Sequence, residues 1–158
     1  MTGPTQTHHD ENSWTDLKIA DPYTKSKTLA EQAAWDFVKN NRGDHVLELA
    51  TVNPGLVTGP NLVKCQFSSG DVLKALIEGK IPWIPRMMMP VVDVRDIAQA
   101  HLRATIEPAA NGKRFLMALP TWLLDMSFWL KEKYPKGYNI KTGEMAYCLI
   151  WLASCFSG

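Results

Sequence analysis

Asp21-Pro22-Tyr23-Thr24-Lys25-Ser26-Lys27 sets a tyrosine and a lysine four residues apart at the start of a helix. The Asp21 carboxylate is placed to accept from the N–H groups of the first turn. Pro22 falls at the first helical position, where its missing N–H is of no consequence. Ala30, Ala33, Ala34, Phe37 and Val38 then recur at i, i+3, i+4, i+7 and i+8, which predicts a helix from about Pro22 to about Asn40. Tyr23 and Lys27 lie one above the other on it, in a row that continues through Ala30 and Ala34 to the buried face.

That spacing can do chemistry. A phenol is a poor base at neutral pH. An ammonium about 4 Å from a phenol oxygen, at an effective dielectric of about 20, favours the phenolate by about 4 kcal/mol. In open water the gain is only about 1 kcal/mol. Such a pair can therefore exchange a proton with a substrate alcohol or carbonyl only in a closed pocket. Taken alone, the motif reads rather as a tyrosine packed at a helix start and a lysine pointing to solvent, and it is the motifs downstream that reverse this.

Downstream, Val46-Leu47-Glu48-Leu49-Ala50-Thr51-Val52 reads as a buried strand. The 41–45 turn before it holds Gly43 as the expected residue just past the helix end. A strand after a helix argues for a parallel sheet. Asn53-Pro54-Gly55-Leu56-Val57-Thr58-Gly59-Pro60 follows at the carboxyl end of that strand, where open α/β sheets bind ligands. On its own it is a tight turn that needs Pro and Gly. Further on, Pro90-Val91-Val92-Asp93-Val94-Arg95-Asp96-Ile97-Ala98-Gln99-Ala100-His101 predicts a strand-helix return over 91–107. Asp93 caps the helix, Asp96 sits near its positive end, and Ile97, Ala98, His101, Leu102 and Thr105 form its expected buried stripe.

Together these three motifs resemble the extended short-chain dehydrogenase/reductase family, closest to its dihydroflavonol reductase and cinnamoyl-CoA reductase branch. The resemblance runs from Trp14 onward and implies an α/β fold: a partial Rossmann-like parallel sheet with a small, mainly helical substrate-domain portion. It divides a single partial domain into a mobile loop at 1–13, the catalytic helix and strand at 14–60, and mostly substrate-domain elements at 61–158. It implies reduction of a ketone or aldehyde, or oxidation of the alcohol, with NADP, or alternatively NAD, as cofactor. Tyr23 would transfer the proton, and Lys27 would assist it and hold the ribose hydroxyls. Backbone groups of Pro54, Gly55 and Val57 would contact the nicotinamide carboxamide. Glu11-Asn12-Ser13-Trp14 looks like the family's acidic loop over the substrate mouth, or else an exposed linker. His101 reads as a packed helix residue rather than a base.

The sequence also departs from that family. It contains no G-x-G-x-x-G or G-x-x-G-x-x-G turn to bring backbone N–H groups to a pyrophosphate. With the tyrosine at residue 23 there is no room for one upstream, nor for the expected catalytic Ser or Thr. The chain therefore reads as part of a longer reductase, inactive by itself, with exposed sheet edge and helix faces that favour self-association. The alternative reading is a non-enzymatic binding or regulatory module of the same fold. A lipid-associated role for the 145–156 segment is a weaker third.

The remainder excludes more than it suggests. The 158 residues carry a net charge of +1, which points away from nucleic acid and anionic membranes. Cys65, Cys148 and Cys155 lack C-x-x-C spacing and read as reduced cytosolic thiols, giving a cytoplasmic expectation and no metal site. His8-His9-Asp10-Glu11 has no scaffold to converge on an ion. Ser68 or Ser69 is expected to cap a helix with Val72, Leu73, Leu76 and Ile77 on one face, ended by Gly79. Pro82 and Pro85 exclude a central strand over 81–85. Trp83 and Met87, Met88 and Met89 suit either core or an adaptable pocket wall, with core favoured. A strand is expected over 114–119 and a helix from Thr121 to Tyr134 using Leu124, Phe128 and Trp129. The apolar tail from Thr142 to Phe156 is too short to span a bilayer and reads as a docked helix.

Overall fold

The computed structural model describes residues 9–41, 43, 46–63 and 68–146. By its internal contacts the chain divides into two compact units, one of residues 1–53 and 96–117, the other of 54–95 and 118–158.

The first unit is led by helix α1 (Pro22–Asn40). Asp21 caps it as its chemistry requires, one carboxylate oxygen accepting from the N–H groups of Tyr23 at 3.0 Å and Thr24 at 3.1 Å. The helix ends at Asn41 in extended backbone, its N–H bonded to the Val38 carbonyl. Gly43 does not take the left-handed conformation expected of it. The inward face differs too. Ala34 and Val38 are half-buried as expected, but Thr24, Thr28, Glu31, Gln32 and Trp35 also turn inward, while Ala30, Ala33 and Phe37 are exposed. A polar stripe faces inward because Glu31 is held there by partners on other segments, as described below.

The expected strand at 46–52 is much shorter. Strand β1 (Thr51–Pro54) starts only at Thr51, and Val46 is 91% exposed. Over 46–50 the described hydrogen bonds are two at Leu49: its N–H to Asn111 Oδ1 and its carbonyl from the Gly112 N–H. A strand exists only through its ladder, and none forms on that stretch. In this unit β1 pairs with a later strand, and the Thr51 N–H reaches the Lys113 carbonyl at 3.0 Å.

In the second unit, strand β2 (Leu56–Thr58) is followed by helix α2 (Ser68–Ile77). The side chain of Ser68, the proposed cap, lies outside the described residues. Gly79 closes α2 at φ +67°, a conformation that favours glycine, with its N–H on Leu76 O and the Lys80 N–H on Ala75 O. Strand β3 (Met88–Asp93) runs parallel to β2 with Leu56 opposite Val91. Helix α3 (Val94–Ile106) leaves β3, and its last eleven residues belong to the first unit. The Asp93 carboxylate accepts the Arg95 N–H at 2.8 Å and grips the Arg95 guanidinium, which holds its pKa down to about 2. The stripe on α3 is narrower than predicted: Ile97 is buried and Ala100 and Ala104 half-buried, while Ala98, His101, Leu102 and Thr105 are exposed.

The predicted strand at 114–119 is two strands. Strand β4 (Arg114–Met117) pairs with β1 in the first unit, and β5 (Leu119–Trp122) joins β3 in the second. β5 runs antiparallel to β3, so this sheet is mixed, with order β2-β3-β5. Pro90 stands opposite Pro120 in that pair. The Leu123 N–H to Met87 carbonyl bond fixes the alternation, which leaves the proline pair at a position where no ladder bond is needed. Pro90 is thus tolerated on the β5 side of the strand, where its missing donor is not asked for.

Helix α4 (Leu123–Lys133) therefore starts two residues later than expected. Its inward residues are Leu123, Met126 and Ser127, and Phe128 and Trp129 are exposed. The core of this unit joins Leu76, Ile84, Leu123 and Met126, with Val72, Leu73, Met89 and Val91 packed against it. Met89 is thus core, whereas Met87 and Met88 are exposed. Ile84 also makes a parallel bridge to Glu144. Residues 142–146 are therefore extended rather than helical, and the rest of the tail, like Cys148 and Cys155, lies outside the described residues.

Candidate active site

Tyr23 is the second residue of α1, held there by the Asp21 cap on its own N–H. Lys27 follows one turn later, and its Nζ stands 5.7 Å from the centre of the Tyr23 ring. The helix thus brings the two groups together in cation–π range. Tyr23 is 70% exposed, so the closed surroundings that would strengthen the pair are not formed by the described residues.

Four residues beyond Lys27, Glu31 gathers five hydrogen bonds from four side chains. Its Oε1 accepts from Arg114 Nε at 2.7 Å, Thr51 Oγ1 at 2.8 Å, Trp35 Nε1 at 3.2 Å and Asn53 Nδ2 at 3.3 Å. Its Oε2 accepts from Arg114 Nη2 at 3.1 Å. The two side chains are only 14% and 18% exposed. Burial pushes the Glu31 carboxyl up, but the hydrogen bonds from Arg114, Thr51, Trp35 and Asn53 outweigh it and bring the pKa down to about 2. Arg114 in turn donates from Nη1 to the carbonyls of Glu11 at 2.6 Å and Ser13 at 2.9 Å, and its guanidinium lies 3.9 Å over the Trp14 ring.

Neither Glu31 nor Arg114 belongs to a motif recognised in the sequence. The available signal was a carboxylate at i+4 from Lys27 on a helix. It becomes informative only once its partner, 83 residues away, is known.

Pro54, Gly55 and Val57 belong to the second unit. Gly55 separates β1 from β2 and lies against the Pro90 carbonyl, where an added Cβ would come within 2.8 Å of the carbonyl carbon. Close backbone packing thus accounts for this glycine. A cavity of about 570 Å³ in the same unit is lined by Trp83, Lys131, Tyr138 and Lys141 among others, and includes none of the predicted site residues. Among the described residues no three His, Cys, Asp or Glu side chains gather to hold a metal ion. No helix among them is long and apolar enough to cross a membrane.

No family model matches the chain. Its sequence is 35% identical over 113 residues to a cinnamoyl-CoA reductase of Medicago truncatula, covering 72% of this chain and 33% of that one. It is 32% identical over 148 residues to an anthocyanidin reductase of Vitis vinifera, covering 84% and 42%. The crystal structure of yeast methylglyoxal/isovaleraldehyde reductase, complexed with NADPH, superposes with a TM-score of 0.66 at 31% identity, over 77% of this chain and 38% of that one. The chain belongs to the extended short-chain dehydrogenase/reductase family. Within that family it falls on the cinnamoyl-CoA and anthocyanidin reductase-like branch. Its α/β architecture, with parallel β2 and β3, is the Rossmann type of these reductases over the part matched. The chain spans between 33% and 42% of the length of these curated relatives.

Proposed function

We propose that Tyr23 and Lys27 are the proton-transfer pair of an NADP-dependent carbonyl reductase. The observation that carries this is the Lys27 ammonium 5.7 Å from the Tyr23 ring, on a capped helix, in a chain of this family. NADPH, when bound, would supply the hydride. Tyr23 would give the proton to the carbonyl oxygen, and Lys27 would steady the charge that develops there. Pro54, Gly55 and Val57 are proposed to meet the nicotinamide end through their backbone.

The residues present fit only part of the dinucleotide. Tyr23 and Lys27 are accessible for the ribose end. For the pyrophosphate end the sequence holds no G-x-G-x-x-G or G-x-x-G-x-x-G turn to supply backbone N–H groups. The chain by itself is therefore proposed to hold NADPH weakly and to turn over little substrate.

The test is a titration of the purified chain with NADPH, followed by energy transfer from its six tryptophans. Binding only in the millimolar range, from a chain folded by circular dichroism, is the expected result. Saturation at micromolar NADPH would overturn the weak-binding proposal. Turnover of aldehydes or ketones that survives Tyr23→Phe would overturn the assignment of the proton donor.

A second reading, a non-enzymatic interaction module, is favoured by one observation: Leu102 and Ile106 on α3 are 54% and 62% exposed. Self-association of the chain through such surface is part of that reading.

A further inference from the structure

Tyr23 stands in the first turn of α1, the part of a helix most prone to fray. Its position depends on the chain that enters the helix. That chain has three fixed points. The Asp10 carboxylate accepts from the Asn12 N–H at 3.0 Å and the Ser13 hydroxyl at 3.0 Å, which closes a turn. The Asp16 carbonyl receives the N–H groups of Ile19 and Ala20, closing a second. Asp21 then caps the helix. What anchors the first turn is Arg114.

We propose that Arg114 is a positioning residue for Tyr23, clamping the Glu11–Trp14 turn to Glu31 in the middle of the same helix. One guanidinium makes three kinds of contact. Nε and Nη2 take both oxygens of Glu31, Nη1 takes the carbonyls of Glu11 and Ser13, and the flat face covers Trp14. Glu31 is eight residues after Tyr23, about 12 Å down the axis. The loop before the helix is thus tied to the helix body rather than to its fraying end. Residues 14–21 run between two anchors, Arg114 at one side and the Asp21 cap at the other. Arginine suits the task because its planar fork serves a carboxylate, two carbonyls and an indole face together, which a lysine cannot do.

The inference rests on Tyr23 as proton donor for its purpose, but its test needs neither NADPH nor turnover. Amide hydrogen exchange of the whole chain is measured in Arg114→Gln and Arg114→Lys. Exchange over 11–25 is expected to rise at least about tenfold in Arg114→Gln and by more than over 30–40, with α2 and α4 unchanged, and to be partly restored in Arg114→Lys. Trp14→Leu leaves the ion pair in place and is expected to speed exchange over 11–16. Unchanged exchange over 11–25 in folded Arg114→Gln would overturn the proposal. So would a rise spread evenly over α1, β1 and β4, or failure of both Arg114→Gln and Trp14→Leu to fold, since each would make Arg114 a core residue only. A clamp seen by exchange, beside turnover indifferent to Tyr23→Phe, would remove the proposed function alone.

Discussion

Arg114 donates from Nε to Glu31 Oε1 at 2.7 Å, joining strand β4 to the middle of helix α1 across 83 residues of chain. Both side chains are largely withdrawn from water. The pair is therefore screened little by salt, and its loss leaves a charge without its partner.

Its pH signature follows from the carboxyl. Glu31 is held at about 2 in the folded chain, against an ordinary value of 4.5. Between those values the unfolded chain binds more protons, so stability rises with pH. The contribution, on the order of 3 kcal/mol, is complete above pH 4.5 and is lost as pH falls through about 2. Urea midpoints at pH 6 and pH 3 for the parent chain and Glu31→Gln measure it. The variant is expected to be less stable at pH 6 by about 3 kcal/mol, and the gap to narrow to about 1.4 kcal/mol at pH 3.

How much of this was legible follows from how local each feature is. The α1 cap, the Gly79 end of α2 and the Asp93 start of α3 lie within a few residues of chain and were read correctly. Strand 46–50 was not, because a strand is made by neighbours the sequence does not name. The inward faces of α1, α3 and α4 were read only in part, for a related reason: Ala34, Val38, Ile97 and Leu124 do turn inward, but their expected companions do not. Periodicity says which side of a helix is apolar, but not whether anything covers it, and Phe37, Leu102 and Trp129 are exposed. In the candidate site the Tyr23–Lys27 spacing was visible, since one helical turn brings them together. The Glu31–Arg114 pair was not.

Gly55 tests the packing of the second unit. An added Cβ meets the Pro90 carbonyl, which is main chain and cannot swing aside. Gly55→Ala is expected to destabilise the chain by about 1–3 kcal/mol, read as a lower urea midpoint at unchanged slope. An unchanged midpoint would mean that β2 and β3 separate at little cost.

Ser127 is fully buried on α4, and its Oγ has no hydrogen-bond partner among the described residues. A buried hydroxyl without a partner opposes folding. Ser127→Ala is expected to raise stability by about 1 kcal/mol, seen as an upward shift of the thermal midpoint.

The exposed apolar face of α3 makes a prediction about association. Sedimentation velocity over a range of concentrations is expected to show self-association of the parent chain, reduced in Leu102→Glu/Ile106→Glu. Concentration-independent sedimentation of the parent would remove the interaction reading.

The facing prolines of β3 and β5 carry a last consequence. Pro90 and Pro120 sit where the pairing of β3 with β5 asks nothing of either nitrogen. Slide either strand by a single residue and its own proline ring is brought against a carbonyl that requires a donor, while the side chains of that strand turn to the opposite face. The two rings thus act as a key cut for one alignment. Three short strands among the described residues, with little length to define their own pairing, are told by two missing hydrogens where to stop.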